Sequence, residues 1–252
     1  MSRMKKKPAV QRRRFPRALI FIILIAAALS AIIIIASVNS RQNSQPAAEM
    51  GTNPEECMRG QETLKRLVQS HPDPRIRIGM DSLVANGVIY LNFQSLFTLG
   101  DEGIATFCII NIASVGYAPT FNIHLSQLLD PAVPDQFKQL VILHEYAHFL
   151  QYQKGIVPEE RFYYGSAPEQ LTERELCELF EVECQAYLAE SKCACEQGWS
   201  YQFDICEAYR TGSLMGMRQR LAERYSMLPE FKPFRSLLFR LAADTTNMLP
   251  AL

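Results

Sequence analysis

The apolar positions of this chain change period several times, and each change marks an element. Residues 18–38 run without a charge and are dominated by Ile, Leu and Ala, a length that spans the hydrocarbon core of a bilayer as a helix. Residues 39–53 are rich in Ser, Gln, Asn and Ala and read as a tether. Asn53–Pro54–Glu55–Glu56 then places a cap, a proline and two acids in the order that opens a helix. That helix is predicted to run to about Ser70 and to stop before His71–Pro72–Asp73–Pro74. Arg75–Ile76–Arg77–Ile78 alternates, as do parts of residues 87–93, which predicts strands around the turn Ala85–Asn86–Gly87. Residues 104–112 form another apolar, β-branched run, and Phe121–Asn122–Ile123–His124–Leu125 alternates as a strand with its exit at Leu128–Leu129–Asp130–Pro131.

Helical spacing takes over next. Leu140, Leu143, Ala147 and Leu150 form one stripe, with Pro134 and Asp135 suited to the start of the helix and Gly155 to its end. Thr172 and Glu175 have the spacing of a capping box and open a second helix through Leu188 whose interior is unusually apolar. Past residue 190 the pattern is mostly helical, including Ser213 to Tyr225. The fold class expected over residues 54–252 is α+β, one domain long enough for a real core.

Charge divides the chain. Residues 1–17 hold eight basic residues and no acid, which expects a cytoplasmic tail, a single-pass signal anchor at 18–38 and an extracytoplasmic domain. The formal charge of the whole chain is zero, and the first 17 residues conceal an acidic remainder with 18 basic and 26 acidic residues. That balance gives nucleic acid no basic patch to bind.

The chemistry concentrates in Val141–Ile142–Leu143–His144–Glu145–Tyr146–Ala147–His148–Phe149–Leu150–Gln151. Residues four apart share a helix face, so His144 and His148 can reach one metal ion, with Glu145 beside the open position. Two of the four histidines of the chain fall in this motif. A buried helix carrying two merely satisfied histidines would leave a buried glutamate without a purpose. A third ligand is expected from the helix after Thr172, where carboxylates embedded among apolar residues need a partner. Periodicity does not choose there between Glu181 and Glu183.

The two segments together resemble the gluzincin metallopeptidases, in which an H-E-x-x-H helix is followed by a helix donating a glutamate. In several branches that glutamate begins an E-x-x-A-[D/N] pattern. Glu181–Val182–Glu183–Cys184–Gln185 matches it at the first position, with Cys184 for the alanine and Gln185 for the supporting Asp or Asn. The resemblance implies a zincin-like domain with a small sheet, and one Zn2+ held by His144, His148 and Glu181, with Glu183 in reserve. It also implies that the strand before the active helix is a sheet edge able to pair with an extended peptide.

The expected activity is membrane-anchored peptide-bond hydrolysis, with Glu145 taking a proton from a zinc-activated water and passing it to the leaving amine. Tyr163, Tyr164 and Tyr187 are candidate donors to the oxyanion. Two other readings compete, a non-catalytic zincin-fold scaffold of the cell envelope and a zinc hydrolase of a non-peptide amide or ester. Of seven cysteines, those at 193–206 are the first expected to pair in an oxidising compartment, with at least one thiol left over.

Overall fold

The computed structural model describes residues 53–94, 104–112, 116–156, 172–199 and 204–245, all within one compact unit, Ala47–Leu252. The basic tail, the expected anchor and most of the tether lie outside the described residues. Among those described, no helix is long and apolar enough to cross a membrane.

Among the described residues, seven α-helices and three strands follow in the order α1 (Pro54–Gln69), α2 (Pro74–Ala85), β1 (Tyr90–Gln94), β2 (Ala105–Ile112), β3 (Gly116–His124), α3 (Leu125–Leu128), α4 (Asp135–Gln153), α5 (Glu173–Glu196), α6 (Asp204–Met227) and α7 (Arg235–Ala243), with a 3-10 helix at Pro229–Phe234. The architecture is α+β. Asn53 caps α1 by accepting from Glu55 N–H at 3.1 Å. Thr172 and Glu175 form the full capping box of α5, with the Thr172 side chain accepting from Glu175 N–H and Glu175 accepting from Thr172 N–H.

Two expectations are corrected. The alternation at Arg75–Ile78 belongs to helix α2 and not to a strand. Asp73 accepts from Arg75 N–H at 2.8 Å and Pro74 occupies the first turn, so the local chemistry starts a helix there. Helical spacing buries Ile76 and Met80, four apart, and leaves Ile78 74% exposed. Asn86 and Gly87 consequently end a helix, with Gly87 at φ 66°.

The second correction concerns the sheet, whose order is β1-β3-β2, with β1 parallel and β2 antiparallel to β3. The strand preceding the histidine helix, β3, is therefore central, and β2 lies at the sheet's flank next to α4.

Two apolar clusters share the domain. One packs the sheet against α1, α2 and α4 through residues such as Leu67, Ile76, Phe121, Ile123 and Phe149. The other packs α5, α6 and α7 through Phe180, Leu221 and Leu238. Helix α5 contributes to both, Val182 to the first and Leu176, Phe180 and Cys184 to the second. It is the partition between them, and it brings one stripe of side chains against α4. None of the seven cysteines is in a disulfide, and Cys193 and Cys206 are buried thiols.

His71 locks the turn between α1 and α2 to α4. Its Nδ1 accepts from Asp73 N–H at 2.9 Å, so Nε2 carries the proton and donates to the Gln139 carbonyl at 3.0 Å. Burial lowers its pKa below the usual 6.5, outweighing the hydrogen bond to Gln139 and the neighbouring Asp73. The folded state thus binds this proton less readily than the unfolded chain. The contribution of neutral His71 is complete above about pH 6.5 and is lost as pH falls below it. We expect His71→Ala to cost about 1–3 kcal/mol at neutral pH through its unpaired partners. Thermal melts should show a smaller loss on acidification in the variant than in the wild type. Equal acid slopes would remove His71 from the pH dependence.

Candidate metal centre

Two helical stripes with the same spacing face each other. On α4 the stripe is His144, His148 and Gln151, and on α5 it is Glu183, Tyr187 and Glu190. Both follow the i, i+4, i+7 rule for one helix face. His144 meets Glu190 while Gln151 meets Val182 and Gln185, so the two helices run antiparallel across the site.

The outer ring nitrogens are fixed first. Gln151 donates from Nε2 to the Val182 carbonyl at 2.8 Å and to Gln185 Oε1 at 3.0 Å. Its Oε1 must then face His148 Nδ1, at 2.8 Å, so that nitrogen is a donor. His144 Nδ1 likewise donates to Glu190 Oε2 at 3.2 Å. Glu190 is held from behind by the Cys206 thiol, which donates to its other oxygen at 3.7 Å. Burial pushes that thiol up to about 12, so it remains protonated.

Both inner nitrogens are left as acceptors. The two Nε2 atoms lie 3.1 Å apart, and the Glu183 carboxylate approaches them at 3.4 and 3.5 Å. Opposed lone pairs beside a carboxylate require a cation between them. In the metal-free protein a proton serves. Burial lowers the His144 pKa, but hydrogen bonds and charge from Glu183 and Glu190 outweigh it and hold the imidazole well above 6.5. Burial raises Glu183, and the two histidines with the Tyr225 hydroxyl outweigh it, bringing the acid down to about 2.

A metal ion fits the same place. Zinc bonds of about 2.0–2.2 Å put tetrahedral donor atoms roughly 3.3–3.5 Å apart, close to the separations found here. His144, His148 and Glu183 are the group of His, Cys, Asp and Glu side chains among the described residues whose ligand atoms converge in this way. Their outer partners Gln151 and Glu190 supply the support that metal-binding imidazoles require.

Glu181 is not in this set, and the expectation that it completes the ligands is corrected. Its carboxylate takes two hydrogen bonds from Arg218 of α6, at 2.8 and 2.5 Å. Arg218 is fully buried and also donates to the carbonyls of Leu241 and Asp244. The physical reason is angular. Residues two apart on a helix are separated by about 200°, so Glu181 faces the second cluster when Glu183 faces the histidines. The sequence held a signal for this register. Read from Glu183, the pattern E-x-x-A keeps a true alanine, Ala186, at its fourth position. Tyr187 then follows where Asp or Asn stands in the gluzincin pattern, and its ring packs edge-on against His144 with centroids 4.5 Å apart.

Glu145 lies between the histidines in sequence and points to the sheet. Its Oε2 accepts from Phe107 N–H of β2 at 2.6 Å. Burial raises its pKa, and the two histidines and that hydrogen bond offset the rise only in part. Sequence reasoning missed Glu190, seven residues after Glu183 on α5, Tyr225 on α6, and Phe107, which acts through its backbone. Of the three tyrosines considered as donors, Tyr187 is at the site, and Tyr163 and Tyr164 lie outside the described residues.

The two carboxylates make a sharp contrast. Glu183→Gln should weaken zinc binding by at least tenfold in a competitive chelator titration. Glu181→Gln should spare zinc affinity and destabilise the fold by about 3–5 kcal/mol, because Arg218 remains buried without its charge partner. The reverse assignment would follow if Glu181→Gln lost zinc and Glu183→Gln did not.

No protein-family model, curated protein or solved structure matches the chain.

Proposed function

We propose that the domain is a zinc metallopeptidase of gluzincin-like type, held at a membrane by residues 18–38. The observation that carries this reading is the convergence of His144, His148 and Glu183 at 3.1–3.5 Å with Glu145 on the same helix. Bound zinc supplies a Lewis acid that polarises a carbonyl and acidifies water.

The side chains of the chain do the rest. Glu145 is anchored through one oxygen by Phe107 N–H, which leaves its other oxygen to take a proton from the attacking water. Burial makes that carboxylate a stronger base than one in solvent. The same geometry lets it return the proton to a leaving amine. Glu190 and Gln151 hold the two imidazoles in the tautomer that presents Nε2. Tyr187 and Tyr225 have pKa values raised mainly by burial, so both hydroxyls stay protonated, with Tyr225 donating to Glu183 and Tyr187 the candidate donor to developing negative charge.

Strand β2 suggests how a substrate lies. Phe107 pairs in register with Phe121 of β3, yet its N–H is directed to Glu145. The backbone groups of alternate residues of β2 therefore point away from the sheet, towards the helix that carries the base. An extended peptide could pair with the outward groups of β2 away from Phe107, whose N–H Glu145 already occupies.

Elemental analysis of the full chain should find one zinc per molecule, lost in His148→Ala. Glu145→Gln should retain the zinc and lose about two to four orders of magnitude in peptide hydrolysis. A folded protein that takes up no zinc would overturn the reading, and hydrolysis surviving in Glu145→Gln would remove Glu145 as the base.

A further inference from the structure

We propose that the turn joining α6 to α7 is a docking tip for anionic lipid headgroups. At this turn Met227 is 78% exposed and Leu228 38% exposed, and Pro229 beside them is exposed too. The turn is not a frayed end. Phe231 is buried in the second apolar cluster and stacks on Tyr225 with ring centroids 5.2 Å apart. Leu228 also accepts backbone hydrogen bonds from Phe231 and Lys232 at 3.1 and 3.2 Å. Apolar side chains are thus held outward by a fixed turn whose aromatic neighbour is folded inward.

The surrounding charge selects the partner. Residues 224–240 carry four basic side chains, Arg224, Lys232, Arg235 and Arg240, against one acid, Glu230. All four are exposed. Among the described side chains, Glu230 not being one of them, none of the four is in an ion pair, whereas Arg210, Arg218 and Arg220 earlier on α6 all are. The chain beyond residue 17 has 18 basic and 26 acidic residues, so an anionic surface repels most of the domain and attracts this stretch.

Phosphates alone would not explain an outward methionine and leucine flanked in the chain by these cations. A bilayer accounts for both, with the apolar pair at the headgroup boundary and the cations among the phosphates. The tether adds reach. Residues 39–53 span at most about 50 Å fully extended, and this part of the inference rests on the proposed anchoring through 18–38. The inference uses none of the metal ligands and stands or falls apart from the zinc reading.

The test uses the full chain with Met227→Trp in a Trp199→Phe background, since Trp199 is the single tryptophan. The protein is reconstituted in vesicles of phosphatidylcholine alone or of phosphatidylcholine and phosphatidylglycerol in equal amounts. We expect a blue shift of the emission and reduced acrylamide quenching in the anionic vesicles only. Both should disappear in high salt and in Lys232→Glu with Arg235→Glu. Leu228→Trp should report the same change. Met215→Trp, exposed on α6 about 18 Å from the tip, should report none. Identical emission in the two vesicle types would overturn the proposal and leave the tip to a protein partner. A shift unaffected by the charge reversals would overturn it as well.

Discussion

Two imidazole lone pairs held 3.1 Å apart are the constraint on which the rest of this domain depends. Left alone they repel, and the Glu183 carboxylate beside them adds negative charge. The arrangement persists because each outer nitrogen is committed elsewhere, His148 to Gln151 and His144 to Glu190. Gln151 is in turn fixed by the Val182 carbonyl and Gln185. The inner nitrogens therefore cannot escape by changing tautomer. The energy of folding α4 against α5 is spent in part on holding donors where only a cation relieves them, which is how a preorganised metal site is built.

That constraint explains the layering. Helix α5 must offer a carboxylate and a supporting acid to α4 on one side while packing Phe180 and Cys184 against α6 and α7 on the other. A helix buried on both sides cannot leave a second carboxylate unpaired, and Glu181 lies on the wrong side for the histidines. Arg218 meets that need with a charge belonging to the chain. It reaches past Glu181 to the carbonyls at the end of α7, so one buried cation joins three helices. Two glutamates separated by one residue thus have opposite fates, one paired with arginine and the other facing the two imidazoles.

Much of this was legible in the sequence, and the failures have physical causes. The pair His144 and His148, the capping box at Thr172, the start of α1 and strands β2 and β3 follow from local chemistry that a tertiary context did not override. Arg75–Ile78 misled because two-residue alternation is also half of a helical pattern, and the Asp73–Pro74 cap decides between them. Glu181 misled because the choice between residues two apart on a doubly buried helix depends on which neighbour packs on which side. Arg218 lies 37 residues further on and gives no local sign of its partner. Tyr225 was invisible for the same reason, Glu190 because its face follows only once Glu183 and not Glu181 meets the histidines, and Phe107 because a backbone N–H has no residue signature.

The link between sheet and helix carries the argument from binding to turnover. A zinc-holding scaffold needs His144, His148 and Glu183, with Gln151 and Glu190 behind them, and nothing in that list involves β2. Glu145 is the one acid of the α4 motif directed to the sheet, and the strand backbone fixes its carboxylate at 2.6 Å. Burying a carboxylate costs free energy unless its hydrogen bonds repay it, and a single backbone donor repays only part, as its raised pKa records. A leucine at this position would pack against Phe107 and Phe149 without that cost. The fold instead keeps a buried carboxylate of raised pKa between the two histidines in sequence and against β2. A carboxylate held in this way has a use in proton transfer and none in holding a metal, and this favours the proposed hydrolase over a scaffold.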